Sequence, residues 1–363
     1  MKYIDKIEIK YLRSLNEVVL DRVNDLNVFS GANDTGKSNI LYALRLFFGD
    51  SKCNFALDFS KKRAAVLKKI RGKQIIRVSV IFNMPKSGTL PKKVKCTKVW
   101  DRTGRIINSY DDLGSKLKGK SKKEIRSAQR QLTAFLNKLV FVYVPAVRDE
   151  RFFKHILNLL QEAVFSAEER KKKSELSNVA GYAQNFNKAL RRGTKRLNDL
   201  FQNKSGIDST LSVPTTLVEL FGALQVDTFE GEYEIPLTYR GQGIRMQYIP
   251  TILDYISQIS NKKYIWGFDE PENSCEYRLA SKVSKDFEES YCKKSQIFTV
   301  SHSFSFISLD SEKVSSYRII KENLSSTVER IIKGSKASDS LKKDLGVFQL
   351  NENLNEVFED YLN

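Results

Sequence analysis

Residues 31–38 read Gly-Ala-Asn-Asp-Thr-Gly-Lys-Ser, a complete G-x-x-x-x-G-K-S pattern. It stands between an apolar run (Leu26, Val28, Phe29) and an amphipathic one (Ile40, Leu41, Leu44, Leu46, Phe47). Strand, glycine-rich turn and helix in that order predict a phosphate-binding loop. Gly31 and Gly36 let consecutive backbone N–H groups turn toward an anion, and the following helix offers its positive N-terminal end. In such a loop Lys37 reaches the β- and γ-phosphates and Ser38 ligates Mg²⁺, with Asn33, Asp34, Thr35 and Asn39 completing the cradle. The ligand expected from the residues alone is ATP or GTP.

Three stretches further along suit the same chemistry. Tyr264-Ile-Trp-Gly-Phe268 is an apolar strand pattern ending in Asp269-Glu270-Pro271-Glu272. Asp269 at the carboxyl end of a strand can hold Mg²⁺, and Glu270, one residue on, can polarise the attacking water. Leu237-Thr-Tyr-Arg-Gly-Gln-Gly243 runs straight into a helical pattern (Ile244, Met246, Ile249, Ile252, Leu253, Ile256), so Arg240, Gly241, Gln242 and Gly243 form a second candidate anion site. With one phosphate loop already present, that turn makes sense if it addresses the γ-phosphate held by another subunit. Gln296-Ile-Phe-Thr-Val300 reads as another buried strand and delivers Ser301-His302-Ser303, where nucleotide sites of open α/β sheets lie. His302 is the candidate γ-phosphate sensor.

Composition bounds the alternatives. The 363 residues are 41% hydrophobic, enough for a real core and for one large α/β domain or two smaller ones. Lys and Arg number 61 against 43 acidic residues, a formal charge of +18 that suits a polyanionic partner such as duplex DNA. The basic runs at 61–73, 92–98, 116–126, 169–173 and 191–196 are scattered, and a solvated helix face accounts for each as well as DNA does. Only His155 and His302 are present, which excludes a multi-histidine metal centre. Cys53, Cys96, Cys275 and Cys292 lie far apart and read as reduced thiols of a cytoplasmic protein. No apolar signal core and no uncharged run near 18 residues occurs, so neither secretion nor a membrane span is expected.

The hydrophobic pattern gives the organisation. Ile4, Ile7 and Ile9, then Val18 to Leu20, alternate as short strands leading to the loop. Residues 74–82 read as a strand, followed by a Pro/Gly/Lys-rich stretch to about Lys98 and a hairpin through Trp100, Asp101, Gly104 and Ile106. A lysine-rich helix precedes the buried strand 139–144. Helical spacing runs from Arg148 to about Asn203 (Phe152, Phe153, Ile156, Leu159, Leu160, Ala163, Val164), and strands resume over 217–228. A hairpin over 316–333 and an acidic end over 351–360 close the chain. The expected divisions are 1–147, a nucleotide-binding lobe with an antiparallel subdomain; 148–208, a helical insert; 209–310, the Gly-Gln-Gly turn, Asp-Glu and Ser-His part; and 311–363, a closing or docking segment.

This order of motifs resembles the ATP-binding-cassette (ABC) class of P-loop ATPases. Within it the chain is similar to RecF-like repair ATPases and to the ATPase part of overcoming-lysogenisation-defect nucleases. The resemblance spans roughly residues 1–310, and Asp269-Glu-Pro-Glu-Asn273 is its most branch-specific piece. It implies an α/β head with a mixed central sheet, a flanking antiparallel sheet and an inserted helical lobe. It also implies two ATP molecules with Mg²⁺ sandwiched in a homodimer or higher homo-oligomer, each facing the other subunit's Arg240-Gly241-Gln242-Gly243. Similar proteins are ATPase subunits of anti-phage systems acting with a separate effector; RecF-like ones grip duplex DNA. Two departures stand out. Tyr239 occupies the place of the usual signature serine, with Thr238 the neighbouring hydroxyl, and the glutamine linking nucleotide to helical lobe has only Gln131 as a candidate. Nuclease relatives carry a carboxylate domain after the ATPase, whereas 61 residues follow His302 here.

Overall fold

Two strands joined by a tight turn open the chain: β1 (Ile4–Leu12) and β2 (Leu15–Leu20) pair antiparallel, Ile7 opposite Leu20 and Ile9 opposite Val18. The turn holds Arg13 at φ +49, a left-handed conformation that a two-residue reversal demands. This computed structural model describes residues 2–69, 72–85, 89–170, 226–273, 275 and 277–332, with five isolated positions between 185 and 195.

β3 (Leu26–Ser30) follows, buried along its whole length, and gives way through the 31–36 loop to α1 (Lys37–Phe48). The short helices α2 (Phe55–Asp58) and α3 (Lys61–Leu67) lead to β4 (Ile76–Asn83), β5 (Lys93–Trp100) and β6 (Ile106–Asp111). β5 begins within the Pro/Gly/Lys-rich stretch and runs past Lys98. Val94 and Cys96 turn inward between half-exposed lysines, so strand alternation outweighs the loop-like composition. After α4 (Leu113–Lys116), α5 (Lys122–Leu136) begins with a capping box: Ser121 accepts from the Glu124 amide, and the Glu124 carboxylate accepts from Ser121 N. β7 (Leu139–Val144) comes next.

The chain then leaves for a second compact unit, Val147–Asn261, while Met1–Ala146 and Lys262 onward form the first. Within the second unit α6 (Glu150–Arg170) packs against α7 (Gln242–Ile259), and β8 (Asp227–Glu230) forms a hairpin with β9 (Tyr233–Pro236). The Gly-Gln-Gly turn therefore belongs with α6, through the buried Ile249, Ile252, Leu253 and Ile256 of α7; Ile244, expected on that apolar face, is exposed. The rest of the expected helical insert and the strand over 217–225 lie outside the described residues, as does the acidic end.

The first unit is completed by β10 (Lys263–Asp269), α8 (Tyr277–Glu289), β11 (Gln296–Val300), α9 (Phe304–Ile307), β12 (Val314–Glu322) and β13 (Ser325–Ile331). Its strands make two sheets. One is antiparallel, in the order β2-β1-β4-β5-β6; the other is mixed, in the order β13-β12-β3-β11-β10-β7. All pairings in the second are parallel except β12 with β13.

α1 contacts strands of both sheets, and Ile40, Leu41, Ala43, Leu44, Leu46 and Phe47 vanish from solvent. Burial of each large side chain stabilises by about 1.5–3 kcal/mol, so the loop's helix is anchored by the same core that joins the sheets. A polar bolt adds to it. Gln296, wholly buried, accepts from the amides of Tyr3 and Ile4 and donates to the carbonyls of Ile4 and Asn24, tying β1 to β11. Among the described residues no helix is long and apolar enough to cross a membrane, and all four cysteines are free thiols.

Candidate nucleotide site

Strand register gathers the motifs. Asp269 lies opposite Val300, which lies opposite Phe29, so the loops after β10, β11 and β3 leave one edge of the sheet together. That carboxyl edge is where open α/β sheets bind ligands. The structure thus brings together Lys37, Ser38, Asp269, Glu270 and His302, all in the first unit.

The loop itself is clamped. Gly31 (φ +148) passes so close to β12 that a Cβ would stand 2.3 Å from the Ile319 carbonyl oxygen. Gly36 (φ +96) is the N-cap of α1, and a Cβ there would meet Ser14 Oγ at 2.3 Å and Ser326 Oγ at 2.7 Å. Ser326 Oγ donates to the Thr35 carbonyl at 2.6 Å, and Thr35 Oγ1 donates to the Ala32 carbonyl at 2.9 Å. Asn39 donates to Ser14 Oγ and accepts from Arg13. Asp34 (φ +60) projects into solvent and pairs with Lys321 at 2.5 Å; Asn33 is exposed beside it. The hairpin β12–β13, expected as a closing segment, thereby forms one wall of the loop.

Lys37 is buried and donates to the Gly31 and Ala32 carbonyls at 3.0 and 2.7 Å. Burial pushes its pKa down, and the Glu270 and Asp269 carboxylates oppose that. Ser38 Oγ donates to Asp269 Oδ1 at 3.2 Å, while Tyr143 from β7 donates to the other oxygen, Oδ2, at 3.2 Å. Hydroxyl and carboxylate are hard oxygen donors, the kind Mg²⁺ takes, so the residues present fit that ion. Glu270 sits at φ +48, its amide donating to the Val300 carbonyl, which turns its side chain out of the strand; its carboxylate is 3.8 Å from His302 Nε2. Burial first, and the Lys37 charge second, hold His302 below its ordinary pKa, so at neutral pH it is an uncharged imidazole.

Three contributors escaped the sequence reading, Ser14, Tyr143 and Ser326, and a fourth, Glu272, was quoted there without a role. Glu272 Oε1 accepts from Ser301 Oγ (2.7 Å), His302 N (2.8 Å) and Ser303 N (3.0 Å). Lone hydroxyls in strands and turns carry no motif; only the D-E-P-E run marked Glu272 in advance. Gln131, the candidate for the glutamine linking nucleotide to helical lobe, lies in α5, where its Nε2 donates to Ser127 Oγ one turn back.

In the second unit Arg240 donates from Nε to Thr228 Oγ1 at 2.7 Å and from Nη1 to Glu230 at 2.6 Å. Tyr239 is 83% exposed. Gly241 has an ordinary φ of −55°, and a Cβ there would meet nothing within 4 Å, so neither strain nor internal space demands a glycine. Gly241 caps α7, with Gln242 and Gly243 in its first turn.

Comparison with known proteins agrees with this architecture. Residues 1–140 match a family model described as an AAA ATPase domain. No curated protein matches the chain in sequence. Among solved structures, the Smc head domain with an extended coiled coil bound to the C-terminal domain of ScpA, from Pyrococcus furiosus, superposes with a TM-score of 0.52 at 15% identity. The match covers 94% of this chain and 99% of that one. The Smc head with a coiled coil and joint from Pyrococcus yayanosii gives 0.52 at 12% identity, covering 94% and 99%. An Smc head bound to the C-terminal winged-helix domain of ScpA gives 0.51 at 15% identity, covering 92% and 98%. The chain has the mixed α/β fold of these ABC-type heads.

Proposed function

We propose that this chain is a Mg²⁺-dependent ABC-type ATPase whose subunits close in pairs around ATP. Its role in this reading is the sensor or regulatory subunit of an anti-phage defence complex that governs a separate effector in the cytoplasm. The observation that carries the ATPase reading is the convergence of Lys37, Ser38, Asp269, Glu270 and His302 at one sheet edge. Lys37 exchanges the loop carbonyls for phosphate oxygens, and Gly31, Asn33, Asp34, Thr35, Gly36 and Asn39 shape the cradle around it. Ser38 and Asp269 hold Mg²⁺, which when bound neutralises phosphate charge. Glu270 accepts the proton of the attacking water, and neutral His302 donates to the γ-phosphate. Arg240 and the sterically unneeded Gly241 serve the nucleotide of the partner subunit. Smc heads bound to ScpA, together with the family resemblance, support an output through a second protein.

A RecF-like DNA-binding role is the second reading, favoured by the +18 charge and by exposed Lys61, Lys62, Lys122, Lys123, Arg126 and Arg130 on α3 and α5. Steady-state ATP hydrolysis with and without duplex DNA, using Glu270→Gln as blank, tests both. Turnover lost in Glu270→Gln supports the enzyme, and unchanged turnover sinks it. Turnover that rises with DNA, with binding that weakens steeply with salt, selects the second reading. Turnover indifferent to DNA, with a neighbouring gene product co-purifying, selects the first.

A further inference from the structure

We propose that Glu272 is the positioning residue that sets His302 against Glu270, coupling the turn after β10 to the turn after β11. The inference rests on the ATPase reading for its consequence and on geometry for its content. One carboxylate oxygen, Oε1, takes three donors, and two of them are the successive backbone amides of His302 and Ser303. Ser301 Oγ both donates to that oxygen and accepts from Ser303 N at 3.0 Å, so the Ser-His-Ser turn closes around Glu272. The carboxylate is itself fixed. The Glu272 carbonyl accepts from the Cys275 amide, the Glu270 carbonyl accepts from Asn273 N, Pro271 between them is buried, and Glu270 N is bonded to the end of β11.

An anionic acceptor at this point has a cost, since burial pushes the Glu272 carboxyl pKa up against its hydrogen bonds. Its second oxygen, Oε2, is buried with no hydrogen-bond partner among the described residues. A buried carboxyl kept for packing alone is poorly explained by this arrangement. It makes sense if the direction of the His302 backbone, and with it the 3.8 Å separation of His302 Nε2 from Glu270, has to be held within tenths of an ångström. Misplacement of a reacting group by about 1 Å costs about a hundred-fold in rate.

The experiment compares wild type, Glu272→Ala, Glu272→Gln, His302→Ala and the Glu272→Ala/His302→Ala double variant of the full chain. Backbone amide exchange reads the pin without any need for turnover. Glu272→Ala should lose protection at His302, whose amide donates to Glu272, while β10 and β11 amides keep theirs, and Glu272→Gln, which retains an acceptor oxygen, should stay protected. In hydrolysis assays Glu272→Ala should lower kcat by about a hundred-fold, with ATP affinity changed less than about two-fold, and Glu272→Gln should recover most of it. On the His302→Ala background Glu272→Ala should cost nothing further. Retained protection in Glu272→Ala, an unchanged kcat, or losses that multiply with His302→Ala would each overturn the assignment. If wild type hydrolyses no ATP, the function proposed above fails, and amide exchange alone decides whether Glu272 holds the turn.

Discussion

Gly36 and Gly49 bracket α1, and both are left-handed, at φ +96 and +83. Alanine at either position strains the backbone by about 1–2 kcal/mol. Only at Gly36 does it also collide. The new methyl would lie 2.3 Å from Ser14 Oγ and 2.7 Å from Ser326 Oγ, whereas at Gly49 nothing lies within 4 Å. Relief requires both hydroxyls to rotate away, breaking the 2.7 Å bond between them and the 2.6 Å bond from Ser326 to the Thr35 carbonyl. The buried carbonyl then goes unmatched, at about 1–3 kcal/mol, and the hydroxyl pair loses about 1 kcal/mol more. Gly36→Ala should therefore destabilise by about 3–6 kcal/mol and Gly49→Ala by about 1–2 kcal/mol, so that their difference isolates the clamp on the loop. Urea unfolding without nucleotide, followed by tryptophan fluorescence, measures it cleanly, because Trp100 and Trp266 are both buried in the first unit. Equal losses for the two variants would refute the clamp. Weaker ATP binding by Gly36→Ala but not by Gly49→Ala is the functional counterpart.

Glu270→Gln should bind ATP with wild-type affinity and hydrolyse it more slowly by about a hundred-fold or more, a split read from equilibrium binding beside single-turnover rates. Lys37→Ala and Arg240→Ala should each be inactive alone yet regain roughly a quarter of wild-type turnover when mixed in equal amounts. Half the dimers are then mixed and each carries one intact composite site. No recovery on mixing would show that Arg240 does not act across subunits. His302 is held below its ordinary pKa of 6.5 in the fold, so on acidification the unfolded chain takes up its proton first. This residue's contribution should be full above about 6.5 and lost as pH falls through the lower folded value, and the slope in urea-unfolding stability should shrink in His302→Gln. Glu230→Gln should leave unfolding free energy within about 1 kcal/mol of wild type, since Glu230 is largely exposed, while removing the carboxylate that ties Arg240 to β8.

Local chemistry explains why so much of the site could be read before folding. The phosphate loop is contiguous, and its glycines, lysine and helix start obey rules that operate within eight residues. β10 and β11 announced themselves as continuous apolar runs, as strands covered on both faces must. The bounds of β5 were hard to read because Lys93, Lys95 and Lys98 give it a loop-like composition, although Val94, Cys96, Thr97, Val99 and Trp100 are buried. The β1–β2 strands were legible ahead of the phosphate loop, but their place in the antiparallel sheet was not, a matter of pairing partners that alternation does not name.

The sequence by itself determined that a phosphate loop sits between strand and helix, that two later strands end in Asp-Glu and Ser-His, and that a glycine turn opens a helix. Tertiary structure alone decided which of these meet. Ser38 finds Asp269 across 231 positions, and Ser326 finds Thr35 across 291. Such contacts follow from strand order and register, which hydrophobic period cannot specify. The same holds for Tyr143 on Asp269 and Glu272 under His302. A hydroxyl or a carboxylate acquires its role from the backbone groups that the sheet places opposite it.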